Sequence, residues 1–300
     1  GGSRGLGLVI ARTIVARGGR VCLVARDADE LERAERDLVE RGGDVLPIVG
    51  DVTQEGFAAQ CVQACVGAFG ALDVVINNAG LITVGPVESM RKRDYEAAMD
   101  LHFWAPLAFV EAALPELKAR GGRVVNISSI GGKIAVPHML PYSASKFALT
   151  GWSEGLRAEL LKDGVAVTTV CPPLMRTGSP RHAQFKGHHE DEHTWFTLAA
   201  SVPGVSMAAE TAAARIVDAL ERGNPEVLLS APFRLAAAFH GAFPGTTTTL
   251  MALATRLLPD VDDDDGAGSE AKEGKDVGSA WAPSAFTMLN EIAALKNNEH

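Results

Sequence analysis

Three side chains in one short stretch have the types and spacing for proton transfer at a carbonyl. Ser129 follows a strand-like run, Arg123 to Ile127, and a loop punctuated by Gly and Pro separates it from Tyr142. Lys146 comes four residues later, at the head of a helical segment. Four residues make about one helical turn, so Tyr142 and Lys146 share a face with Cβ atoms about 5–6 Å apart. A neighbouring ammonium favours phenolate and lowers a phenol's pKa. A phenol tuned this way gives or takes a proton near neutral pH, as general acid–base chemistry requires. A hydroxyl at Ser129 is suited to polarise a carbonyl oxygen. Tyr-x-x-x-Lys alone is a common pattern, and a surface Tyr beside a solvated Lys is the plain alternative.

The elements that must position these groups alternate between strand and helix. Gly1-Gly-Ser-Arg-Gly-Leu-Gly7 opens into an amphipathic helix, Leu8 to Arg17, which Gly18 and Gly19 stop. Glycines ahead of a helix let backbone N–H groups approach a pyrophosphate, and the helix N-terminus attracts its charge. Val21 to Ala25 is an apolar strand closed by Arg26 and Asp27. An acid at that point selects NAD through the ribose 2′-hydroxyl, whereas an Arg pairs with a 2′-phosphate. Arg26, with Arg4 from the glycine loop, therefore favours NADP (NADPH) over NAD, and Asp27 reads as the cap of a helix from Ala28 to Arg41. Strand-like segments follow at 44–49 and 72–76, with a helix over 54–69 between them and a long helical region over 91–118 interrupted near Pro106 and Pro115. A helix to Leu161, a strand over 165–170, a helix over 207–222, a short strand over 226–230 and one or two helices over 232–258 complete the pattern. Such alternation predicts an α/β fold with a parallel sheet covered on both faces.

Composition narrows the function classes. At 47% apolar and 22% charged the chain can bury a full core. Its net charge of −9 is concentrated near the end, where residues 260–280 hold eight acids and two lysines. The rest is near neutral, which argues against a nucleic-acid partner. Scattered cysteines at 22, 61, 65 and 171 do not form a disulfide framework and point to a reducing cytoplasmic setting. Cys61 and Cys65, one turn apart, read as core residues over a redox pair. No leader pattern is visible, and the chain reads as truncated because it opens inside the glycine loop. His189-Glu-Asp-Glu-His193 satisfies a zinc-hydrolase pattern. It lacks a third ligand at recognisable spacing and an apolar helical setting, so no metal is expected.

Ser129, thirteen residues before the Tyr of Tyr142-x-x-x-Lys146, resembles the active-site segment of the short-chain dehydrogenase/reductase family. Asn77-Asn-Ala-Gly80 resembles one of that family's most specific signatures, and Gly1, Gly5 and Gly7 match the glycines of its Thr-Gly-x-x-x-Gly-x-Gly turn. The resemblance covers about residues 1–230 and implies a Rossmann-type doubly wound parallel sheet, NAD(P) and a small carbonyl or alcohol substrate. The family's Thr and the strand before it are absent, so a central first strand is expected to be missing, with two rows of pairing lost. The resemblance implies that Ser129, Tyr142 and Lys146 are catalytic, Lys146 both lowering the Tyr pKa and binding the nicotinamide ribose. It places His102 where the family usually has an Asn that holds a water, so a proton relay altered in its pH dependence is expected. It implies cofactor contacts at Gly1, Ser3, Arg4, Gly5, Leu6, Gly7, Arg26, Asp51, Val52, Asn78, Ala79, Gly80, Tyr142, Lys146, Pro172 and Thr177. Asn78 is expected to tie neighbouring strands together. Pro173 replaces the usual Gly of the turn after the 165–170 strand and stiffens it.

The expected layout is one cofactor-binding domain over 1–259 with a substrate lid at about 178–206. An acidic disordered linker over 260–280 and a short C-terminal helix or tail over 281–300 follow. The expected reaction is NADP-dependent reduction of a lipophilic ketone or aldehyde. A catalytically weakened NADP(H)-binding regulator, suggested by His102 and Pro173, or a membrane-surface protein acting through 233–258, is the alternative. Pairing of copies through 91–118 and 142–161 is expected from the resemblance.

Overall fold

The computed structural model describes residues 1–202, 205–260, 270–278, 284 and 287–299. Helix α1 (Gly5–Ala16) leaves the glycine loop, and β1 (Val21–Ala25), α2 (Ala28–Glu40), β2 (Val45–Val49), α3 (Phe57–Phe69), β3 (Val74–Asn77) and the short β4 (Thr83–Val84) follow. Next come α4 (Lys92–Met99), α5 (Ala105–Arg120), β5 (Arg123–Ile127), α6 (Leu140–Leu160) and β6 (Ala166–Cys171). The lid region holds β7 (Leu174–Arg176), β8 (Gln184–Phe185), α7 (His189–Ser201) and β9 (Ser206–Ala208). Beyond it are α8 (Ala209–Arg222), β10 (Glu226–Leu228), α9 (Ala231–Ala242), α10 (Pro244–Thr255), β11 (Lys272–Glu273) and α11 (Met288–Lys296).

The long strands are all parallel, in the order β2–β1 and, separately, β3–β5–β6–β10. Both faces are covered, as a parallel sheet requires. Successive residues of β5 point to opposite faces. Val125 and Ile127 join α1 and α8 in one core cluster, while Val124 joins α5 and the end of α6 in another. β1 and β3 are not hydrogen-bonded to each other. A cavity of about 460 Å³ lies between them, lined by Ile10, Leu23, Val75 and Phe109 among others. The expected central strand would lie in this gap.

Two expectations change, and one sheet is new to the reading. The long helical region breaks at a π-helical turn over Asp100–Trp104, while Pro106 sits in the first turn of α5 and Pro115 is carried within it. In the first turn a proline's missing N–H removes no helical bond. Of the stretch expected to be disordered, 261–269 lie outside the described residues, but Lys272 and Glu273 pair antiparallel with Phe185 and Gln184. The Gly274 N–H also reaches the Ala183 carbonyl at 2.9 Å, so tertiary pairing orders a segment whose own composition is polar. Finally, β8 runs parallel to β4, adding a small three-stranded sheet that roofs the site.

Among the described residues no helix is long and apolar enough to cross a membrane. The α9–α10 pair nonetheless leaves Leu235 and Leu253 exposed, with Phe243 exposed between the two helices.

Candidate active site

The C-terminal ends of β3 and β5 and the first turns of α6 bring the proton-transfer residues together. Ser129 leaves β5 in extended backbone, and its Oγ accepts the Gly131 N–H at 3.0 Å. It lies beside the Tyr142 ring, both flanking Gly131. Lys146 is 4% exposed, lies on the same face of α6, and donates from Nζ to the Ile127 carbonyl at 2.8 Å. The Ser128 hydroxyl donates to the Lys146 carbonyl at 3.1 Å, which locks β5 to α6. Burial pushes the Lys146 ammonium down to about 7. The phenol of Tyr142 is raised, by burial first and against the lowering influence of Ser129. This corrects the expectation that Lys146 lowers the Tyr142 pKa. Nζ sits 5.7 Å from the ring centroid and is turned to a backbone carbonyl, and loss of water around the phenolate is the largest influence on the phenol.

His102 occupies the π turn and is fully buried. Its Nε2 accepts the Leu81 N–H at 3.0 Å, and its Nδ1 pairs with Ser145 Oγ at 2.7 Å. An acceptor role at Nε2 places the proton on Nδ1. Both ring nitrogens are therefore used by the protein, and the relay role expected of His102 is replaced by a brace between the end of the Asn77–Gly80 segment and α6. Burial, then the charge of Lys146, holds its pKa well below the usual value.

The cofactor-side residues fall along one rim. A Cβ on Gly7 would collide with the Gly1 carbonyl, and Gly5 has φ +54°, so glycine is needed at both. Leu6 points into the core beneath α1. Asn78 Nδ2 donates to the Gly1 carbonyl at 2.8 Å, which ties β3 to the glycine loop. The tie between neighbouring strands comes from Asn77, whose Nδ2 donates to Asn126 Oδ1 at 2.8 Å, correcting the role expected of Asn78. Ala79 packs against Gly1, and Gly80 lies beside His102. Arg26 projects from the end of β1 with 73% of its side chain exposed, 3.9 Å from Asp51. Asp51 holds Thr53 through its N–H and hydroxyl, and Val52 borders the gap in the sheet. The Pro172 carbonyl accepts the Ile130 N–H at 2.9 Å, which fixes the turn after β6 to the loop of Ser129. Thr177 is buried next to Gly5. Asp27 caps α2 by accepting the Glu30 N–H at 2.8 Å.

Arg4 is not free. Its guanidinium donates to Glu30 at 2.6 Å, and Ser3 Oγ donates to the same carboxylate at 2.9 Å. His189 and His193 do not converge on one point. His189 Nε2 lies 2.9 Å from the Glu270 carbonyl, whereas His193 stacks edge-on to Phe185.

A family model described as short chain dehydrogenase matches residues 1–185. The chain belongs to the short chain dehydrogenase family. It is 36% identical over 185 residues to a "Dehydrogenase/reductase SDR family protein 7-like" of Anopheles gambiae, covering 59% of this chain and 58% of that one. It is 32% identical to a fatty acyl-CoA reductase of Acinetobacter baylyi, over 86% of this chain and 83% of the relative. A solved short-chain dehydrogenase from Streptomyces avermitilis superposes with a TM-score of 0.72 at 29% identity, over 85% and 95% of the two chains.

Several residues that shape the site of this short chain dehydrogenase carry no local signal in its sequence. Glu30 meets Ser3 and Arg4 across a sequence separation that no periodicity spans. Asp94 and Lys186 form a buried ion pair at 2.6 Å between α4 and the lid. Glu192, fully buried, accepts from Trp195 Nε1 and pairs with His138 Nδ1, each at 2.6 Å. Residues 297–299 reach the glycine loop from the far end of the chain.

Proposed function

We propose that this protein is an NADP-dependent oxidoreductase that reduces a lipophilic ketone or aldehyde to the alcohol. The observation that carries the reading is the Ser129 hydroxyl lying beside the Tyr142 ring at Gly131, with Lys146 one turn away on α6. The residues present fit a dinucleotide: glycines where a side chain would collide, the N-terminus of α1, and an exposed Arg26 guanidinium at the end of β1. When bound, NADPH supplies the hydride. Ser129 holds the carbonyl oxygen and Tyr142 donates its proton to that oxygen as the carbon is reduced. Because burial raises the phenol, Tyr142 stays protonated at neutral pH, the state that reduction needs. Lys146 holds the nicotinamide ribose.

A lipophilic substrate is supported by the apolar roof. Val84, Met139, Phe185 and Phe196 form a buried cluster against which Tyr142 and Trp195 pack. The relatedness to a fatty acyl-CoA reductase points the same way.

The test is NADPH and NADH oxidation across a panel of ketones and aldehydes. Tyr142→Phe is expected to lower kcat by about 10²–10⁴-fold while dinucleotide binding persists. Full turnover by Tyr142→Phe would rule the mechanism out. Arg26→Ala is expected to weaken NADPH about tenfold or more and leave NADH nearly unchanged, since one charge-assisted contact to a phosphate is lost. Equal losses for both dinucleotides would remove the assignment of NADP.

A further inference from the structure

The segment that follows α11 sits on the glycine loop. Asn297 is fully buried, and Asn298 and Glu299 nearly so. The Asn297 carbonyl accepts the Gly5 N–H at 2.9 Å, one of the donors that the first turn of α1 leaves open. Asn298, at φ +60°, donates from Nδ2 to the carbonyls of Ser3 and Glu30 at 2.9 Å each, and accepts from Arg33 Nε at 2.8 Å. Arg12 donates to Asn297 Oδ1 and to the Lys296 carbonyl, both at 3.1 Å. One oxygen of the Glu299 side chain lies 2.5 Å from the point that a Cβ on Gly5 would occupy. The other is 3.8 Å from Arg4 Nε and 3.2 Å from His182 Nε2. An acidic side chain thus stands at the N-terminus of α1, beside Arg4, where a phosphate would be favoured.

We propose that docking of Asn297–Glu299 and binding of the dinucleotide pyrophosphate exclude one another, making this segment an internal competitor for the cofactor site. The proposal rests on the reading of the glycine loop as the phosphate site. The two occupants need the same N–H groups and the same space above Gly5. The apparent dinucleotide affinity is then reduced in proportion to the undocked fraction.

The docked state also responds to pH. The groups facing the Glu299 carboxyl are Arg4 from the loop, Glu30 from α2, and Arg181 and His182 from the lid. Burial raises this carboxyl to about 8, Arg4 and Arg181 pulling it down and Glu30 pushing it up. A group held above its free value favours docking below the free carboxylate range, and that contribution is lost as pH rises through about 8. His182, pushed down to about 4 chiefly by burial, opposes this only on the acid side of its ordinary range.

NADPH binding measured by titration calorimetry on the full chain, together with hydrogen exchange over 288–299, tests the proposal. The Asn298→Ala/Glu299→Ala double variant is expected to bind NADPH roughly tenfold more tightly than wild type at pH 7. Glu299→Gln, which copies the protonated carboxyl, is expected to keep the competition but lose its weakening between about pH 5 and 8. In the wild type, which needs no variant to fold, NADPH is expected to speed exchange at 297–299. Equal affinities together with unchanged exchange at the tail would overturn the competitor while leaving the cofactor site standing. If no folded form binds NADPH or NADH, the reading of the glycine loop falls and this proposal falls with it.

Discussion

His102 shows how one buried side chain joins stability to site geometry. It pins the Leu81 N–H on one side and Ser145 on the other, so the loop after β3 and the turn carrying Tyr142 move as one piece. Its ring packs edge-on to Tyr142 with centroids 5.5 Å apart. The folded protein keeps this imidazole neutral, while an unfolded chain protonates it near its ordinary pKa. The unfolded state therefore binds the extra proton, and stability must rise with pH through about 6.5. Urea unfolding between pH 5 and 7.5 is expected to show that slope in the wild type and a flatter one in His102→Asn. His102→Ala is expected to cost about 1–3 kcal/mol, because two buried polar groups lose their partner. The motif spacing identified this position as special, but only packing shows which role it has.

The lid is held by contacts between elements, and its charges are where it is most vulnerable. Lys186 is 1% exposed and pairs with Asp94, which also accepts the Arg91 N–H at 2.7 Å at the start of α4. Phe185, the neighbouring residue, lies in the apolar cluster that covers Tyr142. Removing the ammonium leaves Asp94 half of a broken pair. Lys186→Met is expected to destabilise the protein by about 3 kcal/mol in urea titration, and adding Asp94→Ala to recover much of that loss. Strictly additive losses in the double variant would show that the pair is uncoupled. Neither the helix of the lid region, α7, nor the two-residue β8 was read from the sequence. Its partners, β4 and β11, lie about a hundred residues before it and some ninety after it.

At the scale of the whole molecule, the parallel sheet comes in two parts around an apolar gap. Among the described residues β1 and β3 are not paired across it, although the Gly1 and Gly2 nitrogens donate to the Val24 carbonyl at the end of β1. An apolar strand of about five residues supplied ahead of Gly1 is expected to pair with both edges. The urea midpoint should then rise and amide exchange in β1 and β3 should slow. A midpoint and exchange pattern unchanged by such an extension would mean that the gap does not accept a strand. The same scale explains the internal tail. Residues 297–299 find buried partners only because α1, α2 and the lid converge around the glycine loop.

Most of the alternating elements were legible because each rests on local terms: hydrophobic periodicity, glycine stops and an Asp cap at α2. The Ser129, Tyr142 and Lys146 spacing was legible for the same reason, since one helical turn and one strand end set it. Proton affinities were not, because they follow from how much water folding removes. Burial raised Tyr142 and lowered Lys146 where sequence neighbours alone pointed to a lowered phenol. Occupancy of the glycine loop by Glu299 was likewise decided by tertiary structure: contacts between residues nearly three hundred apart leave no period to read.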